Sequence, residues 1–142
     1  MGKIDTFSHL TIGVLALQGA YLKHIQMIHK LGAKALKVKE VSQLDFCHGL
    51  IIPGGESTSI SLRLKEDNWF PHLKHFSTNF PIFGTCAGLI LMAETVLDYP
   101  QLKTMALLPI KVERNAFGSQ IHSFQTSLQL GFDPVPFLGT FI

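Results

Sequence analysis

With 142 residues and 15.7 kDa, the chain has room for one domain rather than two independent cores. Hydrophobic residues make up 46% and charged residues only 15%, against roughly a quarter in ordinary soluble domains, so intrinsic disorder is excluded. A net charge of +2 is too small a bias to indicate nucleic acid or an anionic membrane as partner, and two cysteines are too few for a disulfide scaffold and suit a reducing compartment.

Residues 1–9 are mixed and polar and read as a loose extension. Thr11 to Leu17 is a continuous apolar run ending at Gln18-Gly19, the pattern of a strand buried on both faces. Tyr21, Leu22, Ile25, Ile28 and Leu31 then recur at helical spacing, and Gly32 supplies the stop. Ala35 to Val38 is a second strand, flanked by lysines, and His48 to Ile52 is a third, cut off by Pro53-Gly54-Gly55. A helix is expected from Ser57 to about Lys65 and another from Trp69 to Ser77. Phe80 to Phe83 reads as a fourth strand and Ala87 to Leu97 as a helix. After Pro100 the pattern changes to strand-like pieces near 107–113, 121–127 and 137–142.

The most apolar window, Phe80 to Leu97, contains Pro81, Gly84, Gly88 and Glu94 and falls short of the roughly 20 clean residues of a membrane span. Leu10 to Leu17 resembles a signal-peptide core, but Asp5 stands two positions after Lys3 and no good cleavage site comes after it. The expectation is a cytoplasmic protein with no membrane partner. No cysteine–histidine cluster has metal-ligand spacing, so neither a metal nor another cofactor is expected. The mean hydropathy of +0.28 also fits a piece of something larger, with faces meant to be covered by other segments.

Alternation of strand and helix with short connections indicates an α/β domain on a parallel sheet. Ligands of such sheets bind beyond the carboxyl ends of the strands. Gln18-Gly19, Pro53-Gly54-Gly55-Glu56-Ser57 and Gly84-Thr85-Cys86-Ala87-Gly88 all fall at such ends. The last has the form Gly-x-Cys-x-Gly, the thiol counterpart of a nucleophile elbow. Its glycines permit a sharp turn and close approach of strand and helix. Cys86 then stands at a helix N-terminus, and the Ala87 N–H faces a developing oxyanion, where one donor contributes about 3–4 kcal/mol to a transition state. The competing reading of Cys86 is a small buried hydrophobe, and Cys47, without flanking glycines, takes that reading.

The 53–58 turn offers N–H groups to an oxygen, with Ser57 or Thr58 as helix cap, or it is a plain strand–helix turn. It lacks the Gly-Lys-Ser/Thr ending of a phosphate loop. Arg114, between Glu113 and Asn115, either holds a substrate carboxylate or forms a surface ion pair.

Four motifs carry a resemblance: Ile12 to Gly19, Leu50 to Thr58, Phe83 to Leu89 and Val112 to Gly118, in order and at compatible spacings. Together they resemble the glutaminase subunits of pyridoxal 5′-phosphate synthase, within the class I glutamine amidotransferases. The resemblance runs from Thr11 onward and implies a flavodoxin-like three-layer α/β sandwich. It implies hydrolysis of L-glutamine and delivery of ammonia to a (β/α)8-barrel synthase subunit in a hetero-oligomer. By position, Cys86 is the nucleophile, Gly54 and Ala87 belong to the oxyanion site, and Gly55, Glu56, Ser57, Arg114 and Ile142 bind substrate. Gln18 lies beside the site, and His24 matches a family histidine other than the catalytic one.

The family's catalytic histidine and glutamate belong to a His-Pro-Glu segment beyond the position of Ile142. His122, the one histidine after Cys86, stands where the family usually has aspartate and is a poor substitute. The expected domain over 11–142 is therefore incomplete at its C-terminal side. It reads as a fragment, the product of a disrupted gene, or a short form that binds the synthase without catalysis. A thiol sensor using Cys86 is a further alternative.

Overall fold

The computed structural model describes residues 7–118 and 120–141. They form two compact units that meet in sequence between Val112 and Glu113.

The first unit is built on a four-stranded parallel sheet of β1 (Thr11–Leu15), β2 (Lys34–Val38), β3 (Gly49–Ile52) and β4 (Ile82–Gly84), in the order β2-β1-β3-β4. Helix α1 (Tyr21–Lys30) links β1 to β2, while α2 (Ser57–Glu66) and α3 (Trp69–Phe76) link β3 to β4. These two crossovers run in opposite directions along the sheet. Right-handed connections therefore place α1 on one face and the α2–α3 pair on the other. The order reverses between β1 and β3, which makes the crevice beyond their carboxyl ends the natural ligand position. Helix α4 (Ala87–Met92) follows β4 and packs on β3, β4 and α2. A parallel pair, β5 (Ala93–Val96) and β6 (Leu108–Val112), completes the unit.

The core gathers Leu15, Val38, Leu50 and Ile52 from the sheet and Ile60, Leu64, Trp69, Leu73 and Leu91 from the helices, all at most 2% exposed. Gly13 is required by close packing: a Cβ there would lie 2.7 Å from the Cys47 sulfur and 2.9 Å from Val38. Cys47 is buried, and desolvation raises its thiol pKa, as the small-hydrophobe reading expects.

Two boundaries differ from the sequence reading for identifiable reasons. The helix expected over 87–97 ends at Met92, because Met105 and Leu107 donate their N–H groups to the carbonyls of Leu91 and Met92 at 2.7 and 2.9 Å. The chain then extends into Glu94-Thr95-Val96, whose β-branched residues suit a strand. The fourth strand begins at Ile82 rather than Phe80, since Pro81 has no N–H to give the ladder. A 3₁₀ helix over Val41–Phe46 was not anticipated. Its signal was the Glu40-x-x-Gln43 spacing, which forms a reciprocal capping box.

The second unit holds an antiparallel pair, β7 (Phe124–Leu128) and β8 (Phe137–Phe141). The rings of Phe117, Phe124 and Phe141 cluster beside it at centroid distances of 5.0 to 6.0 Å.

Candidate active site at the strand ends

Three turns leave the carboxyl ends of β1, β3 and β4 and lie close together there. In the first turn Gly19 adopts φ 95° and lies against the Gly54 carbonyl, where any Cβ would overlap the oxygen. The next N–H, of Ala20, donates to that same carbonyl at 3.1 Å. The turn after β1 is thus seated on the turn after β3. Gln18 is exposed beside them.

The turn after β3 rises from buried Pro53 through half-buried Gly54 to exposed Gly55 and Glu56. The structure assigns the cap of α2 to Glu56 rather than to Ser57 or Thr58. Its carboxylate accepts the N–H groups of Thr58 (2.9 Å) and Ser59 (2.6 Å) and the Ser59 hydroxyl (2.7 Å). These donors, the Ser59 hydroxyl foremost, hold the Glu56 carboxyl down at about 2. Ser57 is buried in the first turn of α2.

The turn after β4 carries the thiol. Cys86 has φ 49° and ψ −113°, a sparsely populated conformation for a residue with a side chain, and it is exposed. The glycines around it serve close approach. A Cβ on Gly84 would fall 2.6 Å from the Gly88 carbonyl carbon, and one on Gly88 would overlap the Ile52 carbonyl. The sharp dihedral therefore belongs to Cys86 itself, while Gly84 and Gly88 let α4 sit down on the strand ends. A Cβ on Gly54 would lie 3.2 Å from the Cys86 Cβ and 3.8 Å from its sulfur, so the second turn runs close beside the thiol and leaves little room for a side chain at position 54. Ala87, fully buried, opens α4, where an N–H has no intrahelical acceptor.

His24, from the first turns of α1, reaches the third turn: its Nε2 lies 3.2 Å from the Thr85 hydroxyl oxygen. Proximity to Gly19 places His24 at the edge of the site in the sequence; its pairing with Thr85 has no sequence signal. Arg114 is half-buried in the turn that opens the second unit, where Asn115 takes φ 53° and its carbonyl accepts the Gly118 N–H at 2.8 Å. Ile142 lies outside the described residues. Among the described residues no cluster of histidine, cysteine and carboxylate side chains is arranged to hold a metal ion. Among them, too, no helix is long and apolar enough to cross a membrane.

An exposed thiol on a strained bend, beside a glycine turn at the switch point of a parallel sheet, is placed where cysteine-dependent acyl transfer can be carried out. Comparison with known proteins decides the lineage: residues 14–142 match the SNO glutamine amidotransferase family. The chain belongs to that family. A pyridoxal 5′-phosphate synthase subunit PdxT from Haemophilus ducreyi is 48% identical over 136 residues, a match that covers 96% of this chain and 70% of the relative. The PdxT of Kosmotoga olearia is 42% identical over 135 residues, with 94% and 70% covered. A crystal structure described as a glutamine amidotransferase superposes with a TM-score of 0.85 at 37% identity, covering 92% of this chain and 70% of that one. The parallel α/β architecture is therefore that of the glutamine amidotransferases.

Proposed function

We propose that the chain is the glutaminase subunit of a pyridoxal 5′-phosphate synthase, with Cys86 as nucleophile. The observation that carries this reading is the exposure of Cys86 on its strained bend, close beside the Gly54 turn. The sulfur attacks the side-chain carboxamide carbon of L-glutamine, and the carbonyl electrons move onto oxygen. The 54–55 backbone and the Ala87 N–H receive that oxygen. The C–N bond then breaks and nitrogen leaves as ammonia, carrying the proton that the thiol gave up. Water adds to the thioester, the C–S bond breaks, and glutamate and the thiol are released.

Gly55, Glu56 and Ser57 line the glutamine site in this reading, and the resemblance also assigns substrate binding to Arg114 and Ile142. Glu56 acts mainly through the backbone it fixes, because its carboxylate is already occupied by three donors from α2. Ammonia passes to a (β/α)8-barrel synthase subunit in a hetero-oligomer. Two free cysteines support a cytoplasmic setting.

One observation favours a second reading, a subunit that binds the synthase without turnover. Among the described residues the only histidine contact in this turn goes to Thr85, and no histidine or carboxylate is hydrogen-bonded to the Cys86 sulfur. Glutamate release in the presence of the synthase subunit separates the two. The glutaminase reading predicts release that Cys86→Ala lowers by at least about a thousandfold. Equal release from both chains overturns it, and complex formation without release leaves the binding subunit.

A further inference from the structure

Building on the assignment of Cys86 as nucleophile, we propose that His24 is a positioning residue: through Thr85 it holds the bend that presents the thiol. Thr85 immediately precedes Cys86 and is tied from three directions. Its N–H donates to the Ile52 carbonyl at the end of β3 (3.1 Å), and its own carbonyl accepts the Gly88 N–H from α4 (2.8 Å). These two bonds belong to the backbone and come with the fold. The third tie joins side chains only, from Thr85 Oγ1 to His24 Nε2 at 3.2 Å, across 61 positions of sequence and in a part-buried setting.

That tie has a second anchor. Ala20, one helical turn before His24, donates its N–H to the Gly54 carbonyl. The start of α1 is therefore clamped to both turns that meet at the thiol, to Gly54 by its backbone and to Thr85 by His24. A residue at φ 49° and ψ −113° persists only where its surroundings over-determine it. The His24–Thr85 bond is the part of that determination which a side-chain substitution can remove while leaving the backbone ties in place. His24 acts on Thr85 and not on the reacting atoms, so its effect is on presentation of the sulfur.

The test measures the second-order rate at which iodoacetamide alkylates Cys86, read by mass spectrometry with buried Cys47 as internal reference. The chains are the unsubstituted protein, His24→Leu, Thr85→Val, the double variant and His24→Gln, each checked by circular dichroism. His24→Leu and Thr85→Val are expected to slow alkylation by roughly two- to tenfold, the worth of one hydrogen bond. The double variant should be no slower than either single one, and His24→Gln, which keeps a polar nitrogen near the Nε2 position, should restore most of the rate. Unchanged rates in the folded single variants, or effects that multiply in the double variant, overturn the proposal. If His24→Leu does not fold, Thr85→Val decides alone, since it removes only the hydroxyl and nearly keeps the shape. Iodoacetamide reads the thiol and not glutamine. A chain that shows the His24 dependence but releases no glutamate with the synthase therefore counts against the glutaminase reading and leaves this one standing.

Discussion

Cys86 holds a conformation that costs about 1–3 kcal/mol in an isolated chain, and the turns after β1 and β3 brace it there. The Gly-x-Cys-x-Gly spacing makes this residue legible in the sequence itself, because few other roles need small residues on both sides of a thiol. Glu56 was read from the sequence as a candidate substrate-binding residue and not as the cap of α2. Ser57 and Thr58 are the commoner capping types, and they are the two residues that follow it. Its capping role makes a pH prediction. Glu56→Ala is expected to cost about 1 kcal/mol at neutral pH, the usual worth of an N-cap. The folded carboxyl sits at about 2, below its ordinary 4.5. Its contribution is thus complete above pH 4.5 and is lost as pH falls toward 2. Melting temperatures of both chains between pH 7 and pH 2 should converge across that window; a gap that stays constant contradicts the assignment.

Close approach governs the elements around the thiol. Helix α4 is short because its last carbonyls bond to the 105–107 segment, a long-range competition that no local periodicity reveals. Its seat on the sheet depends on Gly88, whose missing Cβ leaves room for the Ile52 carbonyl. Gly88→Ala should therefore destabilise the fold by about 1–3 kcal/mol through overpacking, as measured by urea denaturation. A loss below about 0.5 kcal/mol, the range of a neutral surface change, contradicts this packing argument. Strands β1, β2 and β3 were readable from their apolar runs and glycine or proline stops, and each lies within two residues of its expected end.

Over the whole molecule, the parallel sheet followed from the alternation of strand and helix, and its β2-β1-β3-β4 order places the switch point where the three motifs converge. Residues 113–142 were harder to read. Their strands are short and mostly exposed, so burial imposes no clear alternation. The β7–β8 pair is a two-stranded sheet, whereas β1 and β3 each have neighbours on both sides. Isolated two-stranded ladders are marginal in water. Amides of 124–128 and 137–141 should then exchange with solvent well before those of Val14, Leu15, Leu50 and Ile52. Equal protection in hydrogen-exchange measurements contradicts that ranking.

In the proposed function the Cys86 sulfur recognises a glutamine carboxamide. Incubation of the chain and the synthase subunit with a diazoketone analogue of glutamine, followed by peptide mass mapping, tests this most directly. The predicted result is one covalent adduct, on Cys86 and not on Cys47, whose formation is slowed by excess L-glutamine. Absence of the adduct, or labelling of Cys86 that glutamine does not slow, would contradict it.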